Sequence, residues 1–196
     1  MPEKNPAIPC ANCGEPAKIV QTVRAVQHFG KVIMLTMSCP ACGFRFVDVF
    51  SAGVRKPSRF EAKVSGANDL RTKIVRSSSS TIRIPELGVT IEPAALSEGY
   101  ISNLEGLLER IESAASILAS SADGEGKPNA DAALEKIRSA KNGSEKFTVI
   151  IEDPLGNSAL IGKKVSHRAL TKAEIKKLRV PMQVFDLGRG KGKRKA

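Results

Sequence analysis

The 196-residue sequence contains no tryptophan, one tyrosine and two histidines, and aromatic residues make up 4% of it. With so few rings, any core must be built mainly from Val, Ile, Leu and Ala. No apolar run approaches the roughly 20 residues that cross a bilayer. The opening MPEKNPAIP carries no apolar h-region, so a secretory signal is not expected and a cytoplasmic location is. Neither His28 nor His167 stands in a motif with a nucleophile or a paired carboxylate. Gly156 to Lys164 (GNSALIGKK) fails as a phosphate loop, because five residues separate its glycines instead of four and Lys164 replaces the required Ser or Thr. The sequence therefore reads as a non-enzyme, with neither a small-molecule substrate nor a membrane partner.

Cysteine is scarce too, but its placement is informative. All four cysteines fall in two copies of C-x-x-C-G, at Cys10–Cys13 and Cys39–Cys42, separated by 25 residues. Two intervening residues let both sulfurs of a turn face one ion, and the following glycine relieves backbone crowding there. Four thiolates suit one structural Zn²⁺, since no coordination position is left for water. Disulfides would need an oxidising compartment. A redox dithiol would need a C-x-x-C at a helix start in a βαβ context, and these precede strands. A rubredoxin-type iron centre uses similar ligands, and spacing alone does not separate it from zinc.

Net charge is +11, and its distribution is uneven. Residues 163–196 carry twelve Lys or Arg against Glu174 and Asp186, a net of +10. Residues 1–162 carry nineteen basic and eighteen acidic groups, a net of +1. The basic signal thus lies far from the cysteines, which weakens the habitual link between zinc ribbons and nucleic acid.

Alternation and turn chemistry predict strands at Lys18–Val26, Lys31–Ser38 and Phe44–Phe50, so that a hairpin joins the two cysteine turns. Short strands follow at Phe60–Val64, Lys73–Arg76, Thr81–Ile84 and Val89–Ile91, punctuated by the four serines 77–80 and by Pro85-Glu-Leu-Gly88. Leu104, Leu107, Leu108, Ile111, Ala114, Ala115 and Leu118 keep a helical period, with Ser102 and Glu105 as a capping box. Ser120–Asn129 reads as a polar loop and Ala130–Lys141 as a second helix with Leu134 and Ile137 inward. Phe147–Ile151 and Ala159–Ile161 predict two more strands around a tight turn. Thr171 and Glu174 cap a basic helix ending near Val180-Pro181. The expected fold is mainly β with α. A C4 zinc ribbon (1–52) precedes a jelly-roll-like domain (53–187) carrying a helical hairpin at about 102–141, and a disordered basic tail (188–196) follows.

The phrases CANCG, HFGKVIMLTMSCPACGFR, DLRTKIVRSSSSTIRIPELGVTIEP, NLEGLLERI and FTVIIEDPLGNSALI run in order from Cys10 to Ile161. In them the chain resembles the ZPR-type zinc-finger family, in its short single-module form typical of archaea. The resemblance implies a C4 finger, a helical hairpin and a double-stranded β-helix domain. Eukaryotic members carry two such modules and act as adaptors between cytoplasm and nucleus. They bind the translation elongation GTPase that delivers aminoacyl-tRNA and assist its folding, and they also bind receptor kinase tails. Carried over, Cys10, Cys13, Cys39 and Cys42 are zinc ligands, while Asp153, Pro154, Gly156, Asn157 and Ser158 match a signature loop that contributes to partner binding. By composition alone that loop is also a good turn, in which Asp153 and Asn157 bond to local amides. One module instead of two, and a basic tail outside the matched region, are departures from the family pattern. The competing expectation is a nucleic-acid- or ribosome-binding protein acting through Arg189, Lys191, Lys193, Arg194 and Lys195, whose charges can grip RNA phosphates without sequence preference.

Overall fold

The structure, a computed structural model, describes residues 8–53, 55–94, 96–124 and 126–179. The ribbon is a four-stranded antiparallel sheet in the order β1 (Ile8–Pro9), β2 (Pro16–Val26), β3 (Gly30–Ser38) and β4 (Arg45–Ser51). β2 and β3 form one long hairpin, paired from Lys18↔Ser38 to Val26↔Gly30. His28 turns the chain there with φ 64°, a left-handed conformation uncommon outside glycine.

Beyond the ribbon, β5 (Ser58–Val64), β6 (Lys73–Arg76), β7 (Thr81–Ile84), β8 (Val89–Ile91) and β9 (Tyr100–Asn103) precede the helices α1 (Leu104–Ser121) and α2 (Gly126–Lys141). Then come β10 (Phe147–Asp153), β11 (Ala159–Ile161), β12 (Val165–Ala169) and α3 (Lys172–Lys177). They assemble a five-stranded sheet, β12-β5-β10-β7-β8, and a three-stranded sheet, β11-β6-β9, with all pairings antiparallel. The main core joins Ile82, Val149 and Ile151 of the larger sheet, Ile74 and Leu160 of the smaller, and Leu104, Leu107, Leu108 and Ile137 of the helices.

Alternation along β6 and β11 gives the smaller sheet two apolar faces. Ile74 and Leu160 point into the main core, while their neighbours Val75 and Ala159 meet Phe29, Val32 and Val49 of the ribbon. A sheet buried on both faces needs this continuous apolar reading, and it seats the ribbon on the β-rich domain.

Several expectations are corrected. The N-cap of α1 is Asn103, whose side chain accepts from the Gly106 N–H at 2.8 Å, whereas Ser102 is held in β9 opposite Ile74. Leu118 is 70% exposed, because only the first half of α1 lies over the sheets. α2 starts at Gly126, four residues earlier than its apolar pattern suggests. β9 and β12 carry no alternation: all four residues of β9 are half-buried, and β12 is an edge strand exposed at four of its five residues. β10 and β11 flank the expected tight turn, closed by the Gly156 N–H donating to the Asp153 carbonyl at 3.2 Å, although the two strands belong to different sheets. α3 keeps its Thr171–Glu174 capping box but ends at Lys177. The Val180-Pro181 boundary lies outside the described residues.

Candidate metal centre and the signature loop

The two cysteine turns are built alike. The Gly14 N–H donates to the Cys10 carbonyl at 2.9 Å, and the Gly43 N–H donates to the Cys39 carbonyl at 3.0 Å. Both glycines are left-handed, with φ 79° and 73°, which closes each turn without a Cβ clash. The hairpin register then brings the turns together, so that all four sulfurs lie within 4.8 Å of one another. Cys10 and Cys42 approach to 3.8 Å, and Cys13 and Cys39 to 3.6 Å. A tetrahedron with Zn–S bonds of about 2.3 Å has edges of about 3.8 Å, so the thiolates present fit one zinc ion. Cys10 and Cys39 are buried and Cys13 and Cys42 exposed, one of each from each turn.

Donors on Asn12 reach two of the four sulfurs. The Cys10 sulfur accepts from the Asn12 N–H at 3.4 Å, and the Cys42 sulfur from the Asn12 side-chain amide at 3.6 Å. That amide and the Phe44 N–H hold the Cys42 thiol down to about 6, while Cys13, against the pull of the Glu15 N–H, is pushed up to about 12 by the neighbouring Cys42 sulfur. Zinc bound here leaves no open position and does structural work: it joins strands whose own core is only Cys10, Ala17, Met37, Cys39 and Phe46.

The signature loop follows β10 and turns inward. The Asp153 carboxylate accepts from the hydroxyls of Ser77 (2.8 Å), Ser79 (2.8 Å) and Ser158 (2.7 Å), and from the Leu155 N–H (2.8 Å). Asp153, Pro154, Gly156 and Ser158 are buried and Asn157 is half-buried; Leu155, not anticipated at the sequence level, is 51% exposed. The Asn157 side-chain carbonyl accepts from the Ser51 N–H at 3.0 Å, so this loop reaches the end of the ribbon. Gly156, with φ 72°, lies so close to Lys56 that a Cβ would strike its carbonyl.

The four serines 77–80 are buried and are not a surface loop. While Ser77 and Ser79 serve Asp153, Ser78 serves Asp48 of β4. Its N–H and hydroxyl donate to the Asp48 carboxylate at 2.8 and 2.5 Å, beside the Val49 N–H at 2.7 Å. Burial pushes the Asp48 carboxyl above its ordinary value, against the pull of these Ser78 and Val49 hydrogen bonds. Arg76, also buried, faces Asp48 and Tyr100 and donates to the Glu98 carbonyl at 3.1 Å. Asp48, Arg76 and the serines escaped the sequence reading. The available signal was a polar run, SSSS, directly between two short apolar strands.

Arg189, Lys191, Lys193, Arg194 and Lys195, with the rest of the basic tail, lie outside the described residues. No helix among the described residues is long and apolar enough to cross a membrane.

Comparison with known proteins agrees with this architecture. Residues 7–57 match the ZPR1 zinc-finger domain and residues 68–181 the ZPR1 jelly-roll domain. A ZPR1-like protein of Methanocaldococcus jannaschii is 40% identical over 181 residues, covering 91% of each chain. Another from Pyrococcus horikoshii is 42% identical over 175 residues, 86% of this chain and 78% of its own. A protein of Schizosaccharomyces pombe named zinc finger chaperone zpr1 is 29% identical over 155 residues, which are 76% of this chain but a third of that larger protein. With the cysteine cluster, the two-sheet domain and these matches in agreement, the chain belongs to the ZPR1 zinc-finger family.

Proposed function

We propose that this protein is a zinc-dependent adaptor and folding factor whose partner is a protein, the translation elongation GTPase that delivers aminoacyl-tRNA. The observation that carries the reading is the open edge of the ribbon. β1 pairs with β2 only at Pro16 and Ala17, leaving Lys18–Val26 without an outer neighbour among the described strands. Val20 and Val23 on that stretch are 52% and 53% exposed. An unpaired strand edge bearing apolar side chains suits capture of an extended segment of a non-native client by added β-pairing. The fission-yeast relative named as a chaperone supports the direction, and the family resemblance supplies the client.

On this reading the ribbon ends near residue 52 and the β-rich domain runs from 53 to 187. Asp153, Pro154, Gly156, Asn157 and Ser158 contribute to partner binding by fixing the loop that presents Leu155. Four unpaired thiols fit a reducing, cytoplasmic compartment.

The test uses purified zinc-loaded protein and the purified elongation factor refolding from denaturant. A raised yield of nucleotide-binding factor is expected, and Val20→Asp with Val23→Asp removes the gain. An unchanged yield with the native protein overturns the reading.

A further inference from the structure

We propose that the junction between the ribbon hairpin and the β-rich domain is a binding groove for single-stranded RNA, separate from both the zinc centre and the basic tail. A cleft of about 700 Å³ opens between the hairpin turn, β5, β6 and the β11–β12 segment. Its walls carry Arg55, Arg71, Lys73 and Lys163 together with His28 and His167, the chain's two histidines. No carboxylate among the described residues lines it. It continues past Arg71 and Lys73 into a cleft of about 560 Å³ reaching Ser102 and Asn103. On the other side it passes Arg55 into one of about 300 Å³ reaching Lys56 and Gly156. Neither extension is lined by an acidic residue among those described. The result is an elongated, open track, not a closed pocket.

The charges along this track are available. Arg59 and Arg168, which alternate with Phe60 and His167 onto the opposite face of the β5–β12 pair, and Lys164, beside Lys163, are each neutralised by a carboxylate: Glu152, Glu174 and Asp69 respectively. Arg55, Lys56, Arg71, Lys73 and Lys163 form no ion pair with the described residues. Selective pairing outside the groove and none within it leaves a focused positive field, which draws a polyanion.

The groove also offers flat faces. The His167 imidazole, exposed, lies against Phe60 with ring centroids 4.7 Å apart and planes tilted by 30°. The Arg55 guanidinium covers the Phe29 ring at 4.2 Å from its centroid and is fixed there by its bond to the Phe29 carbonyl. Planar groups set among unpaired cations are what successive bases and phosphates of a single strand require. An acidic peptide would use the cations but leave these faces idle. This groove does not depend on the folding-factor reading, whose proposed contact is the outer edge of β2.

Binding of a short fluorescent oligouridylate to the full-length protein at two salt concentrations tests the proposal. Arg71→Ala/Lys73→Ala/Lys163→Ala should weaken binding about tenfold or more and flatten the salt dependence, whose slope falls by about 0.7 for each phosphate no longer neutralised. The control Lys136→Ala/Lys146→Ala/Lys176→Ala removes equal charge from exposed, unpaired positions elsewhere and keeps the tail, so its effect should stay within about threefold. His167→Ala should lower affinity for oligouridylate more than for inorganic polyphosphate, because only the former has bases to stack. Equal weakening by the two triple variants overturns the proposal and assigns binding to net charge and the tail. Competition by polyglutamate as effective as by RNA overturns it in favour of an acidic protein segment.

Discussion

The ribbon is held at two places by opposite means. At the cysteine end, four sulfurs and a five-residue core depend on an ion from outside the chain. Nearer the β-rich domain, Asp48, midway along β4, and the adjoining Asp153 are gripped by serine hydroxyls and backbone amides supplied by the chain itself. The first site gains its stability from a ligand and is only as firm as the ligand's supply. The second gains it from fully partnered buried carboxylates and is firm once the β-rich domain has folded. The two ends should therefore fail separately.

The largest expected effect is loss of the metal. Structural zinc contributes about 10 to 16 kcal/mol in small finger domains, more than so small a core can replace. Chelation, or Cys39→Ser, is expected to abolish amide protection around the cysteines, at Ala17, Met37 and Phe46, while Val32 and Val49 at the junction keep theirs. Protection at Val149 and Leu107 should survive, as read by hydrogen exchange alongside metal analysis. Simultaneous loss at both ends would refute separate failure.

Next comes the hydrogen-bonded end. Asp153→Ala removes the acceptor for three buried hydroxyls and one N–H, and a stranded buried polar group costs about 1 to 3 kcal/mol. A drop of about 3 kcal/mol or more in chemical denaturation is expected, with zinc content unchanged. Leu107→Ala in the main core should cost about 2 to 5 kcal/mol and equally spare the metal.

A smaller effect separates the carboxylates by pH. Asp48 has a folded pKa raised by burial, so its contribution is full below the unfolded value of about 3.9 and is lost as pH rises through the folded value. The stability difference, Asp48→Asn minus native, should therefore shrink as pH drops from about 7 to about 4 in urea titrations. Asp69 and Glu112 run the other way. Hydrogen bonds from Lys164 and Lys141 hold them low, so their contribution is present above the ordinary carboxylate range and lost as pH falls through their folded values. Glu112→Gln should barely move the melting temperature at neutral pH, since the pair with Lys141 sits at the surface, and should reduce the acid sensitivity of the native protein.

The contrast also separates what the residue order disclosed from what it concealed. The metal end was legible because its determinants are local: two C-x-x-C-G turns and the alternating strand between them. Lys73–Arg76, Thr81–Ile84 and Ala159–Ile161 were legible as strands for the same reason. The serine–aspartate end was not, because its partners are 30 residues apart for Ser78 and Asp48 and 76 for Ser77 and Asp153. No periodicity announces that a polar run will be buried; that depends on carboxylates arriving from other strands. Likewise, Ser102 satisfied the local capping pattern, but pairing with β6 claimed it for a strand and moved the cap to Asn103. The signature loop was recognised by its letters, while its inward orientation depends on Ser77 and Ser79.

The hairpin has mechanical consequences as well. Phe29 and Val32, near its turn, are clamped in the junction, while the sulfurs lie beyond Ser38 at the far end. Six residue steps of extended strand lead from Val32 to Ser38, a beam of about 20 Å at ~3.4 Å per step. The metal thus rides the tip of a cantilever whose root is set in a rigid wall. Whatever grasps the tip exerts a torque on that root, and the Asp48 carboxylate, midway along β4, is the fulcrum that must bear it.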